Sequence, residues 1–208
     1  MIKAIIFDLG GVYFTDGTKI AIDKLSRKYN VDKMKVENIM KVGDILKVGD
    51  TLGQEYRKGN LTANEFWNKV KRLLKIKASN KELNNIWVKG YSLIRGTLAI
   101  IKKLKKSGID VYFLSDTVKE RIAYLQNKYK FLENFDGGIF SYKLHTSKFE
   151  GEGIFKLALK KTNENPRNVI YVDDKEMYVE TAKKIGMNSI AFKNPKQLEM
   201  ELKKYKLI

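Results

Sequence analysis

IIFDLGGVYF, residues 5–14, is the stretch around which the rest of the chain is organised. Its first three residues are apolar, Asp8 ends the apolar run, and the pair Gly10-Gly11 follows. Short apolar runs that stop at polar and glycine residues are typical of buried parallel strands that open into a turn. Open α/β sheets bind their ligands at the carboxyl ends of such strands. Asp8 is therefore a candidate functional residue, although capping of the turn alone would also explain it.

The second half of the chain alternates strand and helix patterns. Short β-rich runs are separated by amphipathic segments of helical length, which indicates a parallel sheet covered by helices on both faces. The fold class predicted is α/β, a Rossmann-like parallel sheet with the strand that precedes Asp8 at its centre. Its strands are expected at residues 2–7, 110–114, around 139, 169–172 and 189–192.

A purely helical block follows the first strand. Apolar residues recur there at helical spacing, and LTANEFW offers Thr62 as an N-cap with Glu65 as its capping-box partner. We expect an all-helical cap domain over residues 15–94, inserted into a core domain made of residues 1–14 and 95–208.

Composition excludes several classes of protein. With 208 residues and 43% hydrophobic composition the chain can bury a sizeable core, and without cysteine it can form no disulfide. No apolar run approaches the roughly 20 residues of a membrane span. The first strand follows Met1 too closely for a signal peptide, so a cytoplasmic location is expected.

The formal charge of +17 is large, but its lysines are spread along the chain, as in AIIKKLKKSG at residues 99–108. This distribution favours a solvated lysine-rich surface that attracts small anionic substrates in general. We expect a small anionic substrate, no specific nucleic-acid partner and no membrane partner. The oligomeric state is left open.

Polar residues end three of the predicted strands: Asp8, Ser115 and the pair Asp173-Asp174. Strand ends of a parallel sheet share one edge, so these residues can converge. Adjacent carboxylates repel unless a cation neutralises them, and with Asp8 they would supply the oxygen ligands that Mg²⁺ prefers. A solvated turn at Asp173-Asp174 and a helix N-cap at Ser115 are the alternatives.

Four motifs together resemble the haloacid dehalogenase (HAD) superfamily. They are FDLGGV at residues 7–12, YFLSDT at 112–117, SYKLHTSK at 141–148 and YVDDKEMYVETAKKIGM at 171–187. The helical block is similar to that family's helical cap. The first motif and the segment GNLTANEFW resemble the branch that contains glucose-1-phosphatase-like enzymes.

The resemblance implies a Mg²⁺-dependent phosphatase of small phosphomonoesters such as sugar phosphates. Asp8 would attack phosphorus and form an aspartyl phosphate, Ser115 would donate a hydrogen bond to the phosphoryl oxygens, and Lys148 would place a cation between Asp8 and the phosphate. The implied phosphate contacts are Leu9, Gly10, Ser115, Asp116 and Lys148. The implied metal ligands are Asp8, the Gly10 carbonyl and Asp174, with Asp173 in direct or indirect contact.

Three departures from the family pattern bear on activity. Gly10 stands where the family's phosphatases usually carry a second aspartate, the acid that protonates the leaving group; such an acid contributes about 10²- to 10⁴-fold in rate. Asp116 stands where asparagine is common, and Lys148-Phe149 replaces a lysine-proline pair. These changes leave open a catalytically impaired phosphate-binding or regulatory protein. A dehalogenase is the third alternative, and the paired acids argue against it.

Other side chains are weaker candidates. His145, the only histidine, could protonate a leaving group but could equally be a solvated loop residue. Lys47 and Asp50 are possible substrate contacts in the cap, whereas Arg57 and Lys58 are expected at the surface.

Overall fold

The computed structural model describes residues 1–40 and 51–208. The strands are β1 (Ala4–Phe7), β2 (Asp110–Ser115), β3 (Gly137–Phe140), β4 (Val169–Asp173) and β5 (Asn188–Ala191). The helices are α1 (Gly17–Tyr29), α2 (Lys33–Met40), α3 (Leu52–Arg57), α4 (Ala63–Leu74), α5 (Asn80–Val88), α6 (Arg95–Lys106), α7 (Lys119–Tyr129), α8 (Ser141–Leu144), α9 (Gly153–Thr162), α10 (Glu176–Lys184) and α11 (Pro195–Lys204). Single 3₁₀ turns occur at Phe131–Asn134, Lys148–Glu150 and Pro166–Asn168.

The five strands form one parallel sheet in the order β3-β2-β1-β4-β5. The strand that precedes Asp8 is the central one, which confirms the predicted fold class and the position of β1. The strand order changes direction between β1 and β4, because β2 and β3 lie on one side of β1 and β4 and β5 lie on the other. Ligands of open α/β sheets bind at such a point, outside the carboxyl ends of the strands.

The two faces of the sheet are buried in separate apolar clusters. Ile5 and Phe7 of β1 pack in a cluster that includes residues of α6 and α11. Ala4 and Ile6, which point the other way because side chains alternate along a strand, pack with residues of α9 and α10. Both faces of β1 are therefore covered, as expected for a central parallel strand.

The helices α1 to α5 pack around a third apolar cluster that contains Trp67 and Trp87. Thr62 caps α4 and Glu65 completes the capping box, as the sequence predicts: Thr62 N–H donates to the Glu65 carboxylate at 2.9 Å and Glu65 N–H donates to Thr62 Oγ1 at 3.3 Å. The division into a core of residues 1–14 and 95–208 and a cap of residues 15–94 stays a prediction. Within residues 1–40 and 51–208, no helix has the length and apolar character needed to cross a membrane.

Candidate active site

The carboxyl ends of β1 and β4 bring three carboxylates to one edge of the sheet. Phe7 pairs with Val172, and Asp8 continues the pairing by donating its backbone N–H to the Val172 carbonyl at 2.8 Å. The next residues of β4 and its loop are Asp173 and Asp174. One carboxylate oxygen from each of the three aspartates lies within 4.8 Å of the others. The convergence expected from the strand ends is therefore present.

Lys148 lies buried between two of these carboxylates. Its Nζ donates to Asp8 Oδ1 at 2.9 Å and to Asp173 Oδ2 at 2.7 Å. Burial alone would lower the pKa of Lys148, but Asp173 and Asp8 outweigh it and raise the pKa well above its ordinary value. Asp116 holds the backbone of this residue, because its two oxygens accept the Lys148 N–H at 3.1 and 3.0 Å. The unusual aspartate at position 116 thus anchors the loop that carries Lys148.

Asp173 and Asp174 have different surroundings although they are adjacent. Both oxygens of Asp173 accept hydrogen bonds from the protein: Oδ2 from Lys148 and the Tyr171 hydroxyl, and Oδ1 from the Lys175 N–H at 2.9 Å. Asp173 is fully buried, whereas Asp174 lines a cavity at the strand ends. Asp174 is therefore the more accessible of the two to a ligand.

The carboxylates carry more negative charge than Lys148 neutralises. Burial raises the pKa of Asp8 to about 8; Lys148 opposes this shift, while Asp173 and Asp174 add to it. Burial and the charge of Asp173 also raise the pKa of Asp174. A set of carboxylate oxygens is the donor set of a hard divalent cation such as Mg²⁺, and such a cation would offset their repulsion. The residues present therefore fit a magnesium site.

The turn after Asp8 brings the backbone against Asp174. The Leu9 carbonyl accepts the N–H groups of Tyr13 at 3.0 Å and Phe14 at 2.7 Å, which closes the turn without using the Gly10 carbonyl. Gly11 has a positive φ of 91°, and a Cβ there would lie 2.5 Å from Asp174 Cγ. Only glycine at position 11 permits this approach.

A cavity of about 400 Å³ opens above the strand ends. The sheet side of the cavity contains Asp8, Asp174 and every predicted phosphate contact, namely Leu9, Gly10, Ser115, Asp116 and Lys148. The helical block contributes further lining residues, including Tyr91 and Arg57. The cavity therefore has room for a small ligand next to the carboxylates.

Buried hydrogen bonds tie the helical block to the strand ends. Ser141 Oγ accepts the Thr117 N–H at 3.0 Å and donates to the Arg57 carbonyl at 2.7 Å. Lys58 Nζ donates to Glu150 at 2.9 Å. The prediction that Arg57 and Lys58 lie at the surface is wrong: their exposed fractions are 3% and 6%. Contacts between distant segments bury both side chains, and such contacts leave no local pattern in the sequence.

The sequence also suggested His145, Lys47 and Asp50 as possible site residues. His145 is exposed, forms a hydrogen bond from Nδ1 to Asn60 at 3.0 Å, and is not among the described residues that line the cavity. This position favours the interpretation of a solvated loop residue. Lys47 and Asp50 lie outside the described residues.

Sequence reasoning missed several residues of the site: Tyr91, Arg121, Tyr171 and Tyr178. Tyr171 could have been found, because residues two apart on a strand share a face and Tyr171 precedes Asp173 by two. The centroid of the Tyr178 ring lies 4.7 Å from Lys148 Nζ, and Tyr178 also lines the cavity. Tyr91 lies between α5 and α6 and Arg121 lies on α7, and nothing in their local sequence marks them.

Comparisons with known proteins identify similar folds and a matching protein family. A HAD family enzyme from Bacteroides thetaiotaomicron, crystallised with magnesium and inorganic phosphate, is 21% identical with a TM-score of 0.77 and covers 93% of this chain and 96% of its own. A HAD phosphatase from Thermococcus onnurineus is 20% identical with a TM-score of 0.59, covering 92% of this chain and 86% of its own. An uncharacterized protein of Dictyostelium discoideum is 26% identical over 91% of this chain and 90% of its own length. The model of the haloacid dehalogenase-like hydrolase family matches residues 5–192. This match spans most of the chain, and the protein therefore belongs to the haloacid dehalogenase-like hydrolase family.

Proposed function

We propose that the protein is a Mg²⁺-dependent phosphatase that hydrolyses small phosphomonoesters, such as sugar phosphates, through an aspartyl-phosphate intermediate. The observation that carries the proposal is the position of Lys148 Nζ, 2.9 Å from Asp8 and 2.7 Å from Asp173, beside a cavity that Asp174 also lines. A nucleophile, a cation for the phosphate and an acidic metal ligand then share one small cavity. The Bacteroides enzyme with magnesium and phosphate supports the same assignment by its fold.

In this mechanism an oxygen of Asp8 attacks phosphorus, and the bond from phosphorus to the ester oxygen breaks as the new bond forms. Water then attacks the phosphorus of the aspartyl phosphate, which releases inorganic phosphate and restores the carboxylate. Lys148 favours the ionised form of Asp8 and attracts the phosphoryl group. The Ser115 hydroxyl donates to a phosphoryl oxygen. Catalysis of this kind rests on positioning and charge neutralisation.

The metal assignment separates the two adjacent acids. Mg²⁺ held by Asp8, Asp174 and the Gly10 carbonyl would supply positive charge next to the phosphoryl oxygens. Asp173 has both oxygens occupied by protein donors. We therefore assign Asp173 to holding Lys148 in position rather than to direct contact with the metal.

Gly10 provides no proton for the leaving group, so the proposed activity should favour leaving groups that need little protonation. Sugar-1-phosphates, acyl phosphates and aryl phosphates belong to this class. The similarity to the glucose-1-phosphatase-like branch agrees with such a preference. The same residue supports the second candidate function, a phosphate-binding or regulatory protein without turnover.

The test is release of inorganic phosphate from a panel of aryl, acyl, sugar-1- and sugar-6-phosphates, with Mg²⁺ and with a chelator. The parent protein should release phosphate only with Mg²⁺, and Asp8→Asn should release none. Asp110→Asn is the matched control, because Asp110 is exposed at the opposite end of the sheet. Turnover by Asp8→Asn at the parent rate would contradict the proposal. Binding of phosphate without turnover by the parent would favour the second candidate.

A further inference from the structure

Arg121, on α7, is a buried cation that lines the cavity and has no partner of opposite charge in the described part of the chain. Its exposed fraction is 3%, and its Nε and Nη2 have no hydrogen-bond partner among the residues that the structure describes. It makes no salt bridge with any acid of residues 1–40 and 51–208. Glu120, its neighbour in sequence, instead accepts the Tyr56 hydroxyl at 2.8 Å. Buried N–H donors without acceptors destabilise the folded state and are rare in native proteins. The unpaired donors of Arg121 therefore indicate a site for a ligand that accepts hydrogen bonds.

Aromatic rings contact the guanidinium of Arg121 but leave those donors unsatisfied. Its central carbon lies 4.3 Å from the centroid of Tyr91 and 4.8 Å from the centroid of Trp87. Such contacts stabilise the charge across the face of the planar group. The N–H bonds lie in the plane of the guanidinium, where two parallel bonds match the oxygens of a carboxylate or phosphate.

A second guanidinium lines the same cavity from the helical block. Arg57 stacks on the same Trp87 ring at 5.5 Å, and its Nη1 donates to the carbonyls of Met40 at 3.0 Å and Gly53 at 3.1 Å. Burial, together with the like charge of Arg121, lowers the pKa of Arg57 to about 10. Two buried cations near each other are unfavourable unless an anion joins them.

Five acids line the cavity, and none of them forms a salt bridge with Arg57 or Arg121 among the residues that the structure describes. Asp116 attracts Arg57, but both of its oxygens accept the backbone N–H of Lys148. Asp8 and Asp174 are the carboxylates assigned to the metal. Asp16 accepts the Thr18 N–H at the start of α1, and Glu37 lies on α2. The free N–H donors of Arg121 can therefore bind an anion that enters the cavity from solvent.

We propose that Arg57 and Arg121 bind a second anionic group, a carboxylate or a phosphate, carried by the leaving group of the substrate. This inference rests on the proposed phosphatase function and narrows its substrates to phosphorylated small acids or bisphosphates. Lys148 and the metal site engage the phosphate that is transferred, while the two arginines engage the other end of the molecule. Arg121 binds the second anion directly, and Arg57 adds charge from the helical block.

The test compares substrates that differ only in the charge of a remote group. They are the meta and para isomers of carboxyphenyl phosphate, the matching carbamoylphenyl phosphates and the matching phenylene bisphosphates. The parent should prefer a charged ester over its uncharged amide by about 10- to 100-fold in kcat/KM, since a charge-assisted bond of this kind contributes that much. The preferred member, carboxylate or bisphosphate, identifies the anion.

Substitution of Arg121 should remove this preference. Arg121→Gln should lower the ratio of kcat/KM values for charged and uncharged esters to near one, mainly through KM, and Arg121→Lys should give an intermediate ratio. Arg27→Gln, at an exposed arginine outside the cavity, removes the same charge and should keep the parent ratio. A parent ratio near one for both isomers, or a high ratio that Arg121→Gln leaves unchanged, would overturn the inference.

A binding measurement separates this inference from the proposed function. If the parent hydrolyses none of the esters, including the uncharged ones, the phosphatase proposal fails. Calorimetric titration with the non-hydrolysable carboxyphenyl and carbamoylphenyl phosphonates then still tests the arginine pair. Tighter binding of the carboxylate by the parent but not by Arg121→Gln supports the second anion site, and equal binding rejects it.

Discussion

Gly10 leaves room for a side chain. Its φ is not in the left-handed region, and among the described residues a Cβ there would meet only Tyr91 Cε1, at the ordinary contact distance of 3.7 Å. We therefore expect Gly10→Asp to fold and to supply the missing acid. Hydrolysis of esters with poor leaving groups, such as sugar-6-phosphates, should rise by up to about 10²- to 10⁴-fold, with little change for aryl phosphates.

The measurement is the rate across phenyl phosphates whose leaving groups differ in pKa but little in shape. The parent rate should fall steeply as the pKa of the leaving group rises, and the Gly10→Asp rate should depend on it less. A flat dependence in the parent, with chemistry shown to limit the rate, would mean that another residue supplies the proton.

Gly11 is needed for a different reason, because a Cβ at this position would lie 2.5 Å from Asp174 Cγ. Gly11→Ala should displace Asp174 and weaken Mg²⁺ binding at least tenfold, although every metal ligand is retained. Gly108→Ala is the matched control: its φ is also positive, at 75°, but no atom of residues 1–40 or 51–208 would lie within 4 Å of the added Cβ. Both variants should lose about 1 kcal/mol of stability through backbone strain. Calorimetric Mg²⁺ titration should distinguish them, and equal affinities would reject the contact as a determinant of the site.

At the residue scale, sequence reasoning succeeds where a side chain follows a strand. Asp8, Ser115 and Asp174 were predicted because their position along the chain determines which edge of the sheet they reach. Arg121 and Tyr91 could not be predicted in this way. Tyr91 reaches the site through the packing of the helical block, and Arg121, on α7, lies against Trp87 of that block. Neither contact has a signal in the local sequence.

At the scale of elements, the segment that carries Lys148 is held by Glu150. The Glu150 carboxylate accepts Thr146 Oγ1 at 2.7 Å, Ser147 N–H at 3.0 Å and Lys58 Nζ at 2.9 Å. Partial burial opposes ionisation, but the bonds from Thr146 and Lys58 outweigh it and lower the pKa of Glu150 below its ordinary 4.5. This carboxylate therefore links a 3₁₀ turn to the end of α3.

Glu150→Gln should lower the free energy of unfolding at neutral pH by about 1 kcal/mol, a modest figure because the side chain is partly exposed. Folding lowers the pKa of Glu150, so the ionised carboxylate stabilises the folded protein fully at pH values above its ordinary pKa of 4.5. This stabilisation is lost as the pH falls through the pKa of the folded state. Urea unfolding should thus show a difference from the parent at neutral pH that shrinks as the pH falls below 4.5 and disappears once Glu150 is protonated in the folded state. Glu133→Gln, at an exposed acid, should show no such pattern. A difference that persists at low pH would reject the electrostatic explanation.

The elements themselves follow closely from the sequence, because helical and strand periodicities differ. The predicted strand at residues 189–192 is found at Asn188–Ala191, and the one predicted at residues 169–172 is found at Val169–Asp173. Contacts between elements that are distant in sequence are harder to predict from periodicity. Burial of Arg57 and Lys58 against Ser141 and Glu150 depends on residues more than 80 positions away.

For the molecule as a whole, the net charge of +17 should accelerate encounter with anionic substrates. Raising the salt concentration from about 0.05 M to about 0.5 M should lower kcat/KM for a dianionic phosphate ester several-fold, because the charges become screened over a few ångströms. The kcat value should change little. Measurement at constant Mg²⁺ concentration controls for competition at the metal site. A kcat/KM value independent of salt would mean that the lysine-rich surface serves solubility alone.

The stacking of both arginines on one indole also gives the molecule an optical reporter. The chain contains two tryptophans, and Trp87 is the one whose ring contacts the guanidinium groups of Arg57 and Arg121. Emission from an indole responds to charge in its immediate vicinity, so an anion that neutralises the arginines changes the light that Trp87 emits. Replacing Trp67 by phenylalanine isolates that emission. Occupancy of the far end of the cavity can then be followed in real time, in the unlabelled protein and without any reaction taking place.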